Sequence, residues 1–407
     1  MLMTTRLRVR EFGPIRGGHG DEFIDFKKVT LFCGPQGSGK STVAKLYSLL
    51  SWIEKCVFKD TSLSVSDKLF QQALVWQGID GYLRTDTEIE YFGACLHFTY
   101  AHGKIGVGLV FDDAQYTVPK ISYIPAERNF ASIVRNASRV EGLPNPLVDM
   151  QVEFDKAKKF YGKGYGLPAN GFKFQFDQEE PWIVNGSGTD ASRTRLQTAS
   201  SGLQSIVPLL LISEYLETNL EESDDGVRTG VFYDAGSAEK KRKLEEFMES
   251  VKTSGQPEQQ KRARLDRYFS PSRRFLNIVE EPEQNLYPET QCDVLNRLLA
   301  LAKRKPLNQL VVSTHSPYVL NHLTLVAQAA EILGRDVGNL ELGKRVEKFV
   351  PTNAVIGADE MAIYETRPNG EIARLEMVDG LPSDENPLND FLGRFNVQFA
   401  GLLETMG

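Results

Sequence analysis

Residues 29–50 read VTLFCGPQGSGKSTVAKLYSLL, and this stretch decides the fold. VTLFC is a short apolar run of the kind that forms a buried strand, and it stops at Gly34. From Gly34 to Ser41 the chain reads GPQGSGKS, which fits G-x-x-x-x-G-K-[ST]. Beyond it, Val43, Leu46, Leu49, Leu50 and Ile53 recur at helical spacing. A strand, a glycine-rich loop and an amphipathic helix in that order make an anion site. Gly34, Gly37 and Gly39, with Pro35 and Ser38 between them, let the backbone curl until its N–H groups face inward, and the helix N-terminus adds partial positive charge. Lys40 is then placed to reach the β and γ phosphates of a nucleotide, Ser41 to hold Mg²⁺, and Thr42 to follow in the first helical turn.

A metal and a triphosphate at that loop explain a second stretch. Residues 275–291 read FLNIVEEPEQNLYPETQ, an apolar run ending in adjacent carboxylates. Like charges stacked at the end of a buried strand repel and resist burial unless something cationic faces them. Glu280 is placed to hold Mg²⁺ directly or through water, and Glu281 to orient a water for attack on the γ-phosphate. One helix and one strand later, VVSTHSPYVL puts His315 at the tip of another apolar strand. That spacing brings His315 to the same edge of a parallel sheet as Glu281, where ligands of open α/β sheets bind. A histidine there can hydrogen-bond the γ-phosphate or the attacking water. In TASSGLQSIVPLL, Ser200, Ser201 and Gly202 open a further helix whose first turn offers free N–H groups; taken alone, an ordinary capped helix is the plainer reading.

The rest of the chain sets bounds. With 407 residues the protein can bury one large or two moderate cores, and 41% hydrophobic with 25% charged residues is an ordinary globular balance. No stretch has the length and apolarity of a membrane span; the most apolar, SIVPLLLISEYL, contains Pro208. The first residues, MLMTTRLRVREFGPI, lack a signal-peptide core, so the sequence reads as cytosolic. A net charge of −7 argues against a protein coated in nucleic acid but permits a local basic groove. Cys33, Cys56, Cys95 and Cys292 have no paired spacing and read as structural thiols.

Residues 1–128 read as a mixed-sheet lobe around the helix after the glycine loop, with TEIEYFGACLHFTYA, GKIGVGLVF and KISYIP as antiparallel strands. Residues 129–274 read as an inserted helical lobe whose charged segment, 221–273, is mobile or partly helical and too short for a long coiled coil. Residues 275–407 return to sheet, with a hairpin in MAIYETRPNGEIARLEMV turned by Pro-Asn-Gly and a last helix near NPLNDFLGRFNVQFAGLLE.

In order and spacing, GPQGSGKST, YIPAER, SSGLQ, VEEPEQNLYP and VVSTHSPYVL resemble the P-loop, post-sheet motif, signature, Walker B and switch histidine of ABC-type ATPases of the SMC and OLD kind. More narrowly they are similar to the AAA_15/AAA_21 group of bacterial anti-phage systems. The resemblance implies an α/β, ABC-ATPase-like P-loop NTPase fold with a mixed central sheet, an N-terminal antiparallel sheet and no TOPRIM domain. It implies ATP and Mg²⁺ as cofactors, and a head-to-tail homodimer or higher oligomer in which Ser201, Gly202 and Gln204 of one chain close over ATP bound at Lys40 of the other. SSGLQ stands where transporters carry LSGGQ, which points away from transport. Glu127 and Arg128 fall where the family has a glutamine-bearing loop, and no glutamine stands there. OLD-type nucleases add a TOPRIM domain with an Asp-x-Asp cluster, and none follows His315. Size and layout resemble the ATPase subunits of the PARIS and Septu systems, which implies a separate nuclease effector, TOPRIM-type in the former, and a phage-encoded trigger. The alternatives are an SMC- or RecF-like DNA-repair clamp and a soluble transporter subunit; DNA binding is permitted by the resemblance but not required by it.

Overall fold

The structure, a computed structural model, describes residues 5–60, 63–109, 116–134, 140–169, 171–186, 192–221, 237–378, 381–382 and 386–405. The chain begins with β1 (Thr5–Arg10), β2 (Ile24–Phe26) and β3 (Val29–Cys33), then α1 (Lys40–Lys59) and α2 (Asp67–Gln77). β4 (Glu88–Phe92), β5 (Leu96–Ala101) and β6 (Lys104–Leu109) follow, then β7 (Pro119–Ile124), α3 (Phe130–Ile133) and α4 (Asn145–Phe160). Next come β8 (Tyr165–Gly166), β9 (Lys173–Asp177), β10 (Glu180–Asn185) and β11 (Ser192–Arg195), and the helices α5 (Ser201–Thr218), α6 (Ser237–Thr253) and α7 (Glu258–Tyr268). The last third holds β12 (Arg274–Glu280), α8 (Pro288–Arg304), β13 (Gln309–Thr314), α9 (Pro317–Arg335), α10 (Leu340–Val346), β14 (Met361–Thr366), β15 (Ile372–Arg374), β16 (Met377–Val378), β17 (Leu381–Pro382) and α11 (Pro387–Glu404).

This is an α/β fold around a six-stranded mixed sheet in the order β15-β14-β3-β13-β12-β7. All its neighbouring strands run parallel except the β14–β15 pair, the expected hairpin. Parallel strands are covered on both faces and so read as continuous apolar runs, which VTLFC and FLNIV are. Alternation still sorts them. Leu31, Cys33, Val279 and Val312 face α5, α8 and α9, whereas Phe32, Ile278 and Val311 face α1 and the second sheet, β2-β1-β4-β5-β6. Each such side chain contributes about 1.5–3 kcal/mol by leaving water, so a one-residue slip in β3 would reverse which face is filled and is strongly disfavoured.

Two expectations need correction. KISYIP does not continue the antiparallel set: β7 pairs parallel with β12, at the far edge of the central sheet. Period-two alternation in so short a run cannot tell a half-covered edge strand from a meander strand. The lobe between β7 and β12 is helical but also holds a four-stranded antiparallel sheet, β11-β10-β9-β8, which polar short strands concealed. Within the charged segment, α6 and α7 form a pair closed by Phe247, Val251 and Tyr268; residues 222–236 lie outside the described ones. Among the described residues, no helix is long and apolar enough to cross a membrane.

Candidate active site

The C-terminal ends of β3, β13 and β12 lie side by side, with Cys33 paired to Thr314 and Ser313 to Glu280. The three loops that leave those ends therefore converge. The first is Gly34–Gly39. Gly34 has φ +140°, and a Cβ there would fall 2.2 Å from the Thr366 carbonyl oxygen at the end of β14. Only glycine fits that approach. Ser38 Oγ donates to the Pro35 carbonyl at 2.7 Å and lies 2.5 Å from Thr366 Oγ1, so β14 props the loop from below. Lys40, 5% exposed, donates from Nζ to the carbonyls of Gly34 (2.9 Å) and Pro35 (2.7 Å) and lies 3.5 Å from His315 Nδ1. Burial lowers its pKa from 10.5 to about 8, against the pull of Glu281 and, more weakly, Glu283 and Glu280. A cation held this way is under-compensated and suited to meet an anion.

The second loop leaves β12. Glu280 is buried; its Oε2 accepts from the Ala126 N–H at 3.4 Å, and its Oε1 has no hydrogen-bond partner among the described residues. Glu281 takes φ +43°, uncommon for a residue with a Cβ, and is held by its own N–H donating to the Ser313 carbonyl at 2.8 Å. Its carboxylate lies 3.2 Å from His315 Nε2, and that hydrogen bond holds the Glu281 pKa below the usual carboxylate range. Glu283 Oε1 accepts both the Thr314 hydroxyl and the His315 N–H at 2.7 Å, while burial pushes its own pKa up. Lys40, His315 and Glu281 thus form a continuous polar line.

Arg128, in the turn after β7, is fully buried. It donates to three backbone carbonyls: Glu280 at 2.7 Å, Glu281 at 2.6 Å and Ser205, in the first turns of α5, at 3.3 Å. Burial lowers its pKa from 12.5 to about 10.

The structure brings together Gly34, Pro35, Gly37, Ser38, Gly39, Lys40, Ser41 and Thr42 as loop and first turn of α1, with Glu280, Glu281 and His315 opposite. It does not bring Ser201, Gly202 and Gln204 to that loop by any hydrogen bond within the chain, among the described residues. Ser200 stands at the N-cap position of α5 but makes no side-chain capping hydrogen bond, and a Cβ on Gly202 would lie 2.8 Å from the Asn285 carbonyl of the loop after Glu281. Within its own chain the Gln204 side chain is buried, with Nε2 donating to the carbonyls of Gln197 (2.8 Å) and Leu196 (3.4 Å). Those carbonyls belong to the turn before α5, where the Leu196 carbonyl also accepts the Ala199 N–H at 3.1 Å. Neither Glu283 nor Thr366 sits at a spacing in the sequence that signals a role. Arg128 carried one available signal, an arginine at the end of an apolar strand.

For Mg²⁺ the residues fit: Glu280 offers a buried, unpartnered oxygen and Ser41 stands at the start of α1. Among the described residues, no group of three or more His, Cys, Asp or Glu could hold a metal alone, and Mg²⁺ typically takes one or two protein oxygens with the rest from phosphate and water.

No protein-family model matches the sequence, and neither does any curated protein. Similar solved structures include the SMC head domain from Thermotoga maritima, with 13% identity and TM-score 0.37 over 79% of this chain and 92% of that one. The Smc head domain with an extended coiled coil bound to the C-terminal domain of ScpA, from Pyrococcus furiosus, gives 10% and 0.40 over 92% and 97%. The recombination mediator protein RecF-ATP gives 10% and 0.30 over 92% and 99%. At such identities and scores the likeness says nothing of function.

Proposed function

We propose that this chain binds and hydrolyses Mg-ATP and works as a nucleotide-controlled switch. The observation that carries this reading is the line Lys40–His315–Glu281 at the mouth of a glycine-forced phosphate loop. Lys40 and the loop N–H groups hold the phosphates in ground and transition states alike. Glu281, kept ionised by its hydrogen bond to His315, accepts a proton from a water and orients it toward the γ-phosphate. His315, fixed by Glu283 through its N–H, touches both the base and Lys40 and so reports what occupies the loop. Mg²⁺, held by Ser41 and Glu280, would supply charge neutralisation at the phosphates.

The proposal extends to a head-to-tail dimer and to control of a separate nuclease, TOPRIM-type as for AriA, the ATPase subunit of the PARIS system. That extension rests on the motif resemblance alone. The test is direct: the purified chain hydrolyses ATP in a Mg²⁺-dependent manner and cuts neither DNA nor RNA, and Lys40→Ala removes ATP binding and turnover together. Turnover that survives Lys40→Ala after rigorous purification would refute the ATPase reading, and metal-dependent nuclease activity of this chain would refute the separate effector.

A further inference from the structure

Arg128 is an unusual investment for a core. Its hydrogen bonds go to backbone carbonyls, and the nearby charges of Glu283, Glu281, Glu280 and Glu127 offset its lost hydration only in part, so that an apolar side chain of similar volume would fill the space at lower cost. What the guanidinium does gain is connection. Its Nε is bonded to Ser205 in α5, and its two terminal nitrogens to the consecutive carbonyls of Glu280 and Glu281. The planar fork fixes the distances among its partners, which a single ammonium cannot do. The second partner is the residue at φ +43°, whose backbone favours this conformation only while it is held. Two further contacts tie the start of α5 to its surroundings, one to α3 and one to the loop after Glu281. Ser132 Oγ, in α3, donates to the Gln204 carbonyl at 2.6 Å, and Gly202 lies beneath the Asn285 carbonyl, closer than any Cβ would allow.

We infer that Arg128 is a positioning residue that couples the first turns of α5 to the backbone of Glu281, so that a displacement of the helix start moves the carboxylate in or out of line with the water. The inference rests on the reading of Glu281 as the base. It makes the start of α5 a control point for hydrolysis even though, among the described residues, its side chains do not reach the phosphate loop of their own chain by any hydrogen bond. The coupling lies in the backbone, which is why a search for functional side chains around α5 does not find it.

The experiment pairs kinetics with hydrogen exchange on the full chain. Arg128→Lys keeps the charge but cannot span three carbonyls; kcat should fall about tenfold or more, with affinity for a fluorescent ATP analogue staying within about threefold. In the wild type, a non-hydrolysable ATP analogue should change the exchange of residues 201–205 and 281–287 together, and in Arg128→Lys the two segments should respond separately. An unchanged kcat in Arg128→Lys, or wild-type segments that respond independently, overturns the inference. Should Arg128→Lys fail to fold, the wild-type exchange decides alone. Failure of the wild type to hydrolyse ATP would instead refute the ATPase reading, leaving the exchange coupling to be read with the analogue.

Discussion

Gly34→Ala and Gly37→Ala alter the same loop by the same methyl group, yet the structure assigns them very different costs. At Gly37, φ is +72° and a Cβ would meet nothing within 4 Å, so the cost is that of a left-handed alanine, about 1–2 kcal/mol. At Gly34, φ is +140° and the Cβ would stand 2.2 Å from the Thr366 carbonyl oxygen and 2.7 Å from its Oγ1. Backbone strain in that region adds about 1–3 kcal/mol, and forced overlap with a backbone atom about 1–3 more, for about 2–6 kcal/mol in all. The overlap is relieved only by moving the loop off β14, which breaks the Ser38–Thr366 contact and the shape that presents the N–H groups. Denaturant unfolding of both variants, with ATP affinity measured alongside, is the assay. Gly34→Ala should be destabilised by about 2 kcal/mol more than Gly37→Ala and should bind ATP poorly. Costs within about 1 kcal/mol of each other, with ATP binding intact in both, would refute the packing of the loop against β14.

Lys40→Met should abolish the stabilisation that ATP gives while raising the stability of the nucleotide-free protein, by about 1 kcal/mol once solvent access and the lost carbonyl bonds are allowed for. Because the folded-state pKa lies below the ordinary one, the cost of the charged amine is fully present below about pH 8 and fades between there and pH 10.5, so the gap in melting temperature should narrow across that window; a gap of the opposite sign, or one that widens, contradicts this. Gly202→Ala should push the start of α5 off the Asn285 carbonyl, lowering turnover about tenfold or more with ATP affinity kept, as steady-state kinetics beside a binding titration would show. Mixed with Lys40→Ala it should regain activity if the signature acts on the neighbouring chain; no recovery in demonstrated heterodimers would refute the head-to-tail site.

The phosphate loop was legible because its chemistry is local: glycines, a lysine and a hydroxyl at fixed spacing, between a strand and a helix that announce themselves by period. β3, β12 and β13 were legible as buried apolar runs, and their shared edge followed from one helix lying between Glu281 and His315. The assignment of β7 was not, since an edge strand in a parallel sheet alternates much as a meander strand does. The partners of Arg128, Glu283 and Thr366 were opaque for a common reason. Each residue acts through backbone groups or neighbours far away in the sequence, Arg128 on Ser205 and Glu281, Glu283 on His315, Thr366 on Ser38, and no local pattern encodes such partners. Gln204 shows the converse, a residue whose motif position suggests a role toward a neighbouring chain while within its own chain its amide bonds the turn before α5.

The central claim is that Glu281 is the base of an ATPase whose phosphate site is otherwise complete without it. Glu281→Gln keeps the shape of the side chain and removes the proton acceptor, leaving Lys40 and the loop in place. Single-turnover hydrolysis and ATP binding, measured on the same preparation of this variant, test the claim most directly. The account predicts ATP affinity within about threefold of wild type and a hydrolysis rate lower by about a hundredfold or more. Hydrolysis near the wild-type rate would remove Glu281 from the role, and loss of ATP binding together with hydrolysis would show that the carboxylate holds the site rather than the water.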